Sequence, residues 1–308
     1  MSNAFRDKLP LSGKIKMSDL MNRNLSLPGV LGRVGLSFGF GDESVEDVCR
    51  KGGVDTDTFL LICSVYLYDS YKPSKDILSR VDLHEIVAYL RNSHRYYMED
   101  AMQTLSDDLD RVLEPCSDKE KNIILHFLSD YKDELGKHFD YEENMVFPYV
   151  DSVLAENGDD EFSIDQYEES HSNVQEKLQD LKRLIMTYLP AQCEQQMIQR
   201  VLYDIFMLET DLSKHTSIED DILIPAVGHL EDLRPSNSEE ELSAREKEIL
   251  VGVARGMLNK EIADKYNLSI HTVISHRKNI TRKTGIKTVA GLTVYALLGG
   301  LIDIDSIE

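Results

Sequence analysis

One unusual phrase is written twice in this chain. HFDYEENMVFP begins at His138 and HTSIEDDILIP at His215. Each has a His, a Glu four residues on, a second acidic residue beside it, an apolar run, and a Pro ten residues after the His. The offset, 215 − 138 = 77, also relates Glu142 to Glu219 and Pro148 to Pro225. His94 and His171 share it, so four of the nine histidines fall into two pairs. The chain therefore contains a duplicated unit, and each half offers a lone His followed by His-x-x-x-Glu.

The surrounding pattern decides what is duplicated. From Val81 to about residue 233 the apolar period is helical, broken near LEPCSDKE, ENGDDEFS and LPAQCEQ. That leaves four helices of roughly 25–35 residues, two per half. Residues four apart share a helix face, so His-x-x-x-Glu presents an imidazole and a carboxylate together. An antiparallel four-helix bundle would gather His94, His138, Glu142, His171, His215 and Glu219 into one central layer. Bundle cores build two-metal carboxylate sites from facing helices in this way. Two buried carboxylates would be costly to ionise without a cation between them, and a mixed imidazole and carboxylate set suits iron, zinc or copper.

The other candidates near this layer have plainer expectations. His84, His126 and His229 have no partner at the 77-residue offset and read as surface or satisfied core groups. Glu143, Asp220 and Asp221 read as supporting or solvated acids rather than ligands. Tyr97, Tyr141 and Tyr167 lie three or four residues from the candidate ligands and read as aromatic packing.

The arrangement of a lone His, His-x-x-x-Glu, a lone His and His-x-x-x-Glu resembles the hemerythrin-like domains, most closely the repair of iron centres family, over about residues 81–231. The resemblance implies a non-haem di-iron centre with bridging oxygen and carboxylates, reactive toward O2, NO or peroxide, held by the same six residues. Residues 17–68 resemble the small N-terminal module of that family and read as two or three short helices with Gly breaks, joined to the bundle by a connector over 69–80. The family pattern has adjacent cysteines where this chain has Gly39 and Phe40. Any thiol chemistry at that step is therefore missing here.

A polar, Pro-containing stretch, RPSNSEEE, reads as a linker. The C-terminal segment beyond it differs in charge. The whole chain carries a net −21, which taken alone argues against nucleic acid. Between Ser243 and Lys287, however, ten Lys/Arg against four Asp/Glu give a local +6. Ser243 and Glu246 form a capping-box pattern that opens a helix at Ala244. A second helix starts near Asn259, and a third, IHTVISHRKNITRKT, runs from a cap at Ser269 to Gly285. Ala263 is small where helices must cross, and Leu268, Val273 and Ile280 fit a helical core. The third helix would expose His276, Arg277, Lys278, Arg282 and Lys283. Two helices joined by a short turn, the second cationic, form a helix-turn-helix pattern.

The string from LSAREKEIL to VYAL resembles the LuxR-type DNA-binding domain. Carried over by position, Ile274, Ser275 and Lys278 would face bases, with Lys260, Thr272, Arg282 and Lys283 on the backbone. Many family members have Lys where Ile274 stands, so the preferred sequence should differ, with an apolar contact to a thymine methyl. The last helix, TVAGLTVYALLGGLI, would supply a dimer contact, so a homodimer on double-stranded DNA is expected.

The expected fold is therefore all-α: a small N-terminal helical module (17–68), an antiparallel four-helix bundle (81–233) and a tetra-helical helix-turn-helix domain (242–308). No apolar run reaches the ~18–20 residues that span a bilayer. The four cysteines are scattered and form no CxxC, as expected for reduced thiols in a cytoplasmic protein. The expected function is a DNA-binding regulator, not an enzyme, whose di-iron bundle senses O2, NO or redox state. The alternative is an iron-centre repair or NO-detoxifying enzyme that also binds DNA.

Overall fold

The computed structural model describes residues 9–155, 164, 176–190, 192–233, 242–266, 268 and 270–302. The described residues are helical, with no strand among them and one isolated bridge between Lys16 and Ser44. They divide into two compact units, residues 1–158 with 172–227, and residues 159–171 with 228–308.

The first unit opens with four short helices, one more than the Gly breaks imply: α1 (Met17–Met21), α2 (Leu27–Arg33), α3 (Val45–Gly52) and α4 (Thr56–Leu67). Local chemistry sets their ends. Ser44 accepts from the Asp47 N–H at the start of α3, and Gly53, at φ 72°, closes it in the left-handed conformation that glycine adopts at little cost. Asp55 accepts from the Thr58 N–H to start α4, whose face is nearly all apolar and buried. The 69–80 connector contains one helical turn, α5 (Lys75–Leu78).

The bundle comes next in the chain. Asp82 caps α6 (Leu83–Arg95), which continues through a π-helical segment, Tyr96–Ala101, into α7 (Met102–Val112). Ser117 and Glu120 form a complete capping box that opens α8 (Asp118–Tyr141); a π segment, Glu142–Val146, and α9 (Phe147–Leu154) complete that helix. The second half contributes α10 (Glu176–Tyr188) and α11 (Gln195–Ile218), then a π segment, Glu219–Leu223, and α12 (Ile224–Leu233). The repeat extends to backbone detail. The π segments that begin at Glu142 and Glu219 have the same length and the same 77-residue offset. Leu105, Leu109, Leu128, Leu135, Leu181, Ile205 and Leu212 pack between the helices.

The second unit holds α13 (Ala244–Ala254), α14 (Asn259–Tyr266), α15 (Ile270–Thr284) and α16 (Val289–Leu298). The Ser243–Glu246 capping box is formed in full. Ile249, Val253, Ile262, Ala263, Val273, Ile280 and Leu292 make a separate core. Ala263 is buried as expected, and α13 approaches α14 closely at Gly252, where a Cβ would stand 2.9 Å from Ile262 Cγ1. The RPSNSEEE stretch lies outside the described residues.

Candidate metal centre

Four side chains from three helical rods converge inside the first unit. His94 lies near the end of α6, Glu142 and Glu219 open their π segments, and His215 lies one turn before Glu219. One potential ligand atom from each lies within 4.8 Å of all the others. His94 Nε2 is 3.2 Å from His215 Nε2 and 3.0 Å from Glu142 Oε2. His138 Nε2 is 2.9 Å from Glu142 Oε1, and His215 Nε2 is 3.2 Å from Glu219 Oε1. Both Glu side chains have zero exposure, while that of His138 retains 11%. His171 and Tyr167 lie outside the described residues.

The arrangement fits a cation on its own chemistry. Two imidazole nitrogens face one another at 3.2 Å, where a hydrogen bond requires that one carry a proton. Two fully buried carboxylates complete the ring. Burial opposes the charge on Glu142, but His138 and His94 outweigh it and hold its carboxyl well below the ordinary range. Burial likewise opposes protonation of His94; hydrogen bonds to Glu142 and Glu143 outweigh it, and His94 is pushed up to about 8. A cation between these groups would supply the compensation that a ligand proton supplies here, and the mixed N and O set suits a first-row transition metal.

The surroundings fix these side chains in place. Glu143 Oε1 lies 2.9 Å from His94 Nδ1, so this acid orients an imidazole, as acids that hold a metal-binding His commonly do. Phe139 and Phe147 stack on the His94 ring at 4.0 and 5.5 Å. Asp221 pairs with Lys72 at 3.0 Å, Asp220 is exposed, and Tyr141 is 39% exposed. His84 and His126 lie on the surface, and His229 is half-buried. An open cleft of about 510 Å3, lined by Arg91, Arg95, Met98, Glu99 and Gly136 among others, reaches His94.

A second polar network was not anticipated from the sequence. Arg33, at the end of α2, donates to both carboxylate oxygens of Asp211 at 2.6 and 2.9 Å, and to Ser93 and the hydroxyls of Tyr97 and Tyr66. Tyr66 and Tyr97 in turn donate to Asp211 at 2.7 and 2.8 Å. Asp211 lies four residues before His215, and the Tyr97 ring meets His215 edge-on at 5.6 Å. The N-terminal helices are thus tied to the residues that support the cage. The available signal was the spacing Asp-x-x-x-His ahead of His-x-x-x-Glu. Its counterpart in the first half is Glu134, which pairs with Lys177.

In the second unit the helix-turn-helix residues divide. Ile274 is 41% exposed on α15, and Lys260 is exposed on α14. Thr272 is half-buried, as are His276 and Arg277; Arg277 donates to Asn259 at 2.6 Å. The side chains of Ser275, Lys278 and Arg282 lie outside the described residues. Lys283 differs from expectation. It is 7% exposed and lies 3.1 Å from Glu246, the buried carboxylate of the capping box, which draws its ammonium inward.

Residues 85–227 match the family model described as the hemerythrin HHE cation binding domain. Residues 240–296 match that of the bacterial regulatory proteins, luxR family. The two matches cover different stretches of the chain. Among curated proteins it resembles the transcriptional regulatory protein MctR of Rhizobium johnstonii, 41% identical over 69 residues, or 22% of this chain and 32% of that protein. It also resembles the oxygen regulatory protein NreC of Staphylococcus aureus, 45% identical over 62 residues, or 20% of this chain and 29% of that one. The chain thus spans about a third of the length of these curated relatives. No described helix is long and apolar enough to cross a membrane.

Proposed function

We infer that the chain is a one-component transcription regulator whose buried metal cage takes the signal and whose LuxR-type module binds double-stranded DNA as a homodimer in the cytoplasm. The observation that carries this reading is the convergence of His94, Glu142, His215 and Glu219 within 4.8 Å in a chain that also matches the luxR family. The curated relatives are named as regulators, and one of them as an oxygen regulatory protein, which favours O2 among the candidate inputs O2, NO and redox state.

Symmetry extends the ligand set. His94 faces His215 across the two halves. Applying the 77-residue offset to each gives His171 (94 + 77) and His138 (215 − 77). His138 and His171 would therefore join His94, Glu142, His215 and Glu219 as the residues that hold the metal. Two iron ions held there would supply reversible redox chemistry and open positions for a diatomic ligand. The protein's part is to orient and enclose: Glu143 aims His94, Phe139 and Phe147 keep water from its ring faces, and the Arg33–Asp211 network steadies the turn before His215. A ligand shifts DNA affinity only through a difference in its affinity for two conformations.

The open cleft at His94 favours a second reading, an NO-consuming or iron-repairing enzyme that also binds DNA. One experiment separates the two. Metal content and the visible spectrum are measured for protein purified without chelator, beside a His138→Ala, His215→Ala double variant, and operator affinity is then measured with stoichiometric gas. The sensor reading expects two irons per chain, lost in the variant, and a gas-dependent change in affinity. Catalytic NO consumption with constant affinity would favour the enzyme. Absence of metal after anaerobic iron loading would overturn both.

A further inference from the structure

The 77-residue repeat relates one more pair: Cys116 and Cys193. Each occupies the turn between the two helices of its half, and each turn closes in the same way. The Cys116 N–H donates to Leu113 and the Cys193 N–H to Pro190, at 2.8 and 3.0 Å; Leu113 and Pro190 are themselves 77 apart. The duplication brings the equivalent turns together, and the two sulfurs lie 3.5 Å apart. Both thiols are free and buried, with 8% and 2% exposure, within the bundle's apolar core. The metal cage is remote. About 20 residues of α8 separate Cys116 from His138, roughly 30 Å at helical rise.

We propose that Cys116 and Cys193 are a modification site, a dithiol that a hydroperoxide converts reversibly to an intrachain disulfide. The pair needs only about 1.5 Å of closure to reach a normal S–S bond. The chemistry balances without the metal. The Cys116 sulfur, the more exposed, attacks one peroxide oxygen; the O–O bond breaks, giving a sulfenic acid and water. The Cys193 sulfur then displaces the hydroxyl as a second water, and the S–S bond forms. Two thiols lose two electrons and two protons, and one hydrogen peroxide becomes two waters. Burial pushes the Cys116 thiol up to about 11, so the reaction is slow beside that of an exposed thiol and requires sustained oxidant. The product staples the two halves of the bundle at their turns. A dithiol reductant reverses it by exchange.

The test uses the full chain, metal-depleted and iron-loaded in parallel, treated with hydrogen peroxide and then alkylated in denaturant. The proposal expects alkylatable thiols to fall from the four present to two, to return to four with dithiothreitol, and the linked peptides to be those of Cys116 and Cys193. It also expects a higher unfolding midpoint for the oxidised chain, and no link in Cys193→Ser. Because the mapping is made on the unsubstituted chain, it does not depend on how that variant folds. A link between Cys49 and Cys63, a link between chains, or four thiols surviving while an added exposed-thiol peptide is consumed would each overturn it. So would a link that forms only in the iron-loaded chain, since that would make it a product of cage chemistry. Failure of the metal assay leaves this prediction standing.

Discussion

Asp211 shows how much of this site depends on residues outside the cluster of His94, Glu142, His215 and Glu219. Its carboxylate and the Arg33 guanidinium are both under a tenth exposed. Burial opposes the Asp211 charge, yet Arg33, Tyr66 and Tyr97 hold it below the ordinary carboxylate range. Removing one partner of such a pair leaves the other charge buried and uncompensated, which costs about 3–5 kcal/mol. Asp211→Ala should lose that amount in urea unfolding of the metal-depleted chain. The pH dependence has a definite sign. A depressed folded value means the contribution is present above the unfolded value of about 3.9 and is lost as pH falls through the lower folded value. The gap between Asp211→Ala and the parent should therefore stay constant from neutral pH to about 4 and close only in stronger acid. A gap that closes near pH 6 would assign the cost to another group. The histidines and glutamates that converge, His94, Glu142, His215 and Glu219, were legible because the repeat marks them. Arg33 was not, because a partner 178 residues away leaves no local pattern. Lys283 misled for a related reason: composition counts a cation, but only the fold shows that Glu246 holds it.

Elements were more legible than their irregularities. The cap at Ser243 and the long apolar periods located the helices, because capping and helical period are local properties. The π segments at Glu142 and Glu219 were invisible, since one extra residue per turn hardly disturbs an apolar stripe. The turn cysteines were passed over for a similar reason; scattered in sequence, they meet only once the duplicated turns face each other. In the second unit, the crossing of α13 and α14 sets a size limit that can be measured. Gly252 faces Ile262, whose Cγ1 and Cδ1 would lie 2.9 and 3.1 Å from an added Cβ. These atoms belong to a branched side chain buried in the core and have little room to withdraw. Gly252→Val should cost about 1–3 kcal/mol by overpacking. The loss should appear in the unfolding of residues 242–302, with metal content unchanged.

At the scale of the whole molecule, each of the two compact units has an apolar core of its own among the described residues, one around Leu109, Leu135 and Leu212 and the other around Ile249, Val253 and Ile262. Charge separates along the chain as well: the total is −21, while Ser243 to Lys287 carries ten cations against four anions. Separate cores predict separate unfolding, and each transition should answer to its own ligand. A ligand that binds only the folded form stabilises by RT ln(1 + [L]/Kd), about 2.7 kcal/mol at a hundredfold excess over Kd. Calorimetry of the full chain should therefore show two transitions. Iron should raise the one that Asp211→Ala lowers. Operator DNA should raise the one that Gly252→Val lowers, and less so as salt increases, because cation–phosphate contacts release counterions. Any heat shift of the DNA-binding transition on adding iron alone is then a direct reading of the coupling between cage and DNA module. Its size sets the largest change in operator affinity that the signal can produce, at tenfold per 1.4 kcal/mol. A single transition that moves with both ligands would instead mean that the two cores melt as one, and that the cage acts on DNA binding through global stability rather than a shift between two folded conformations.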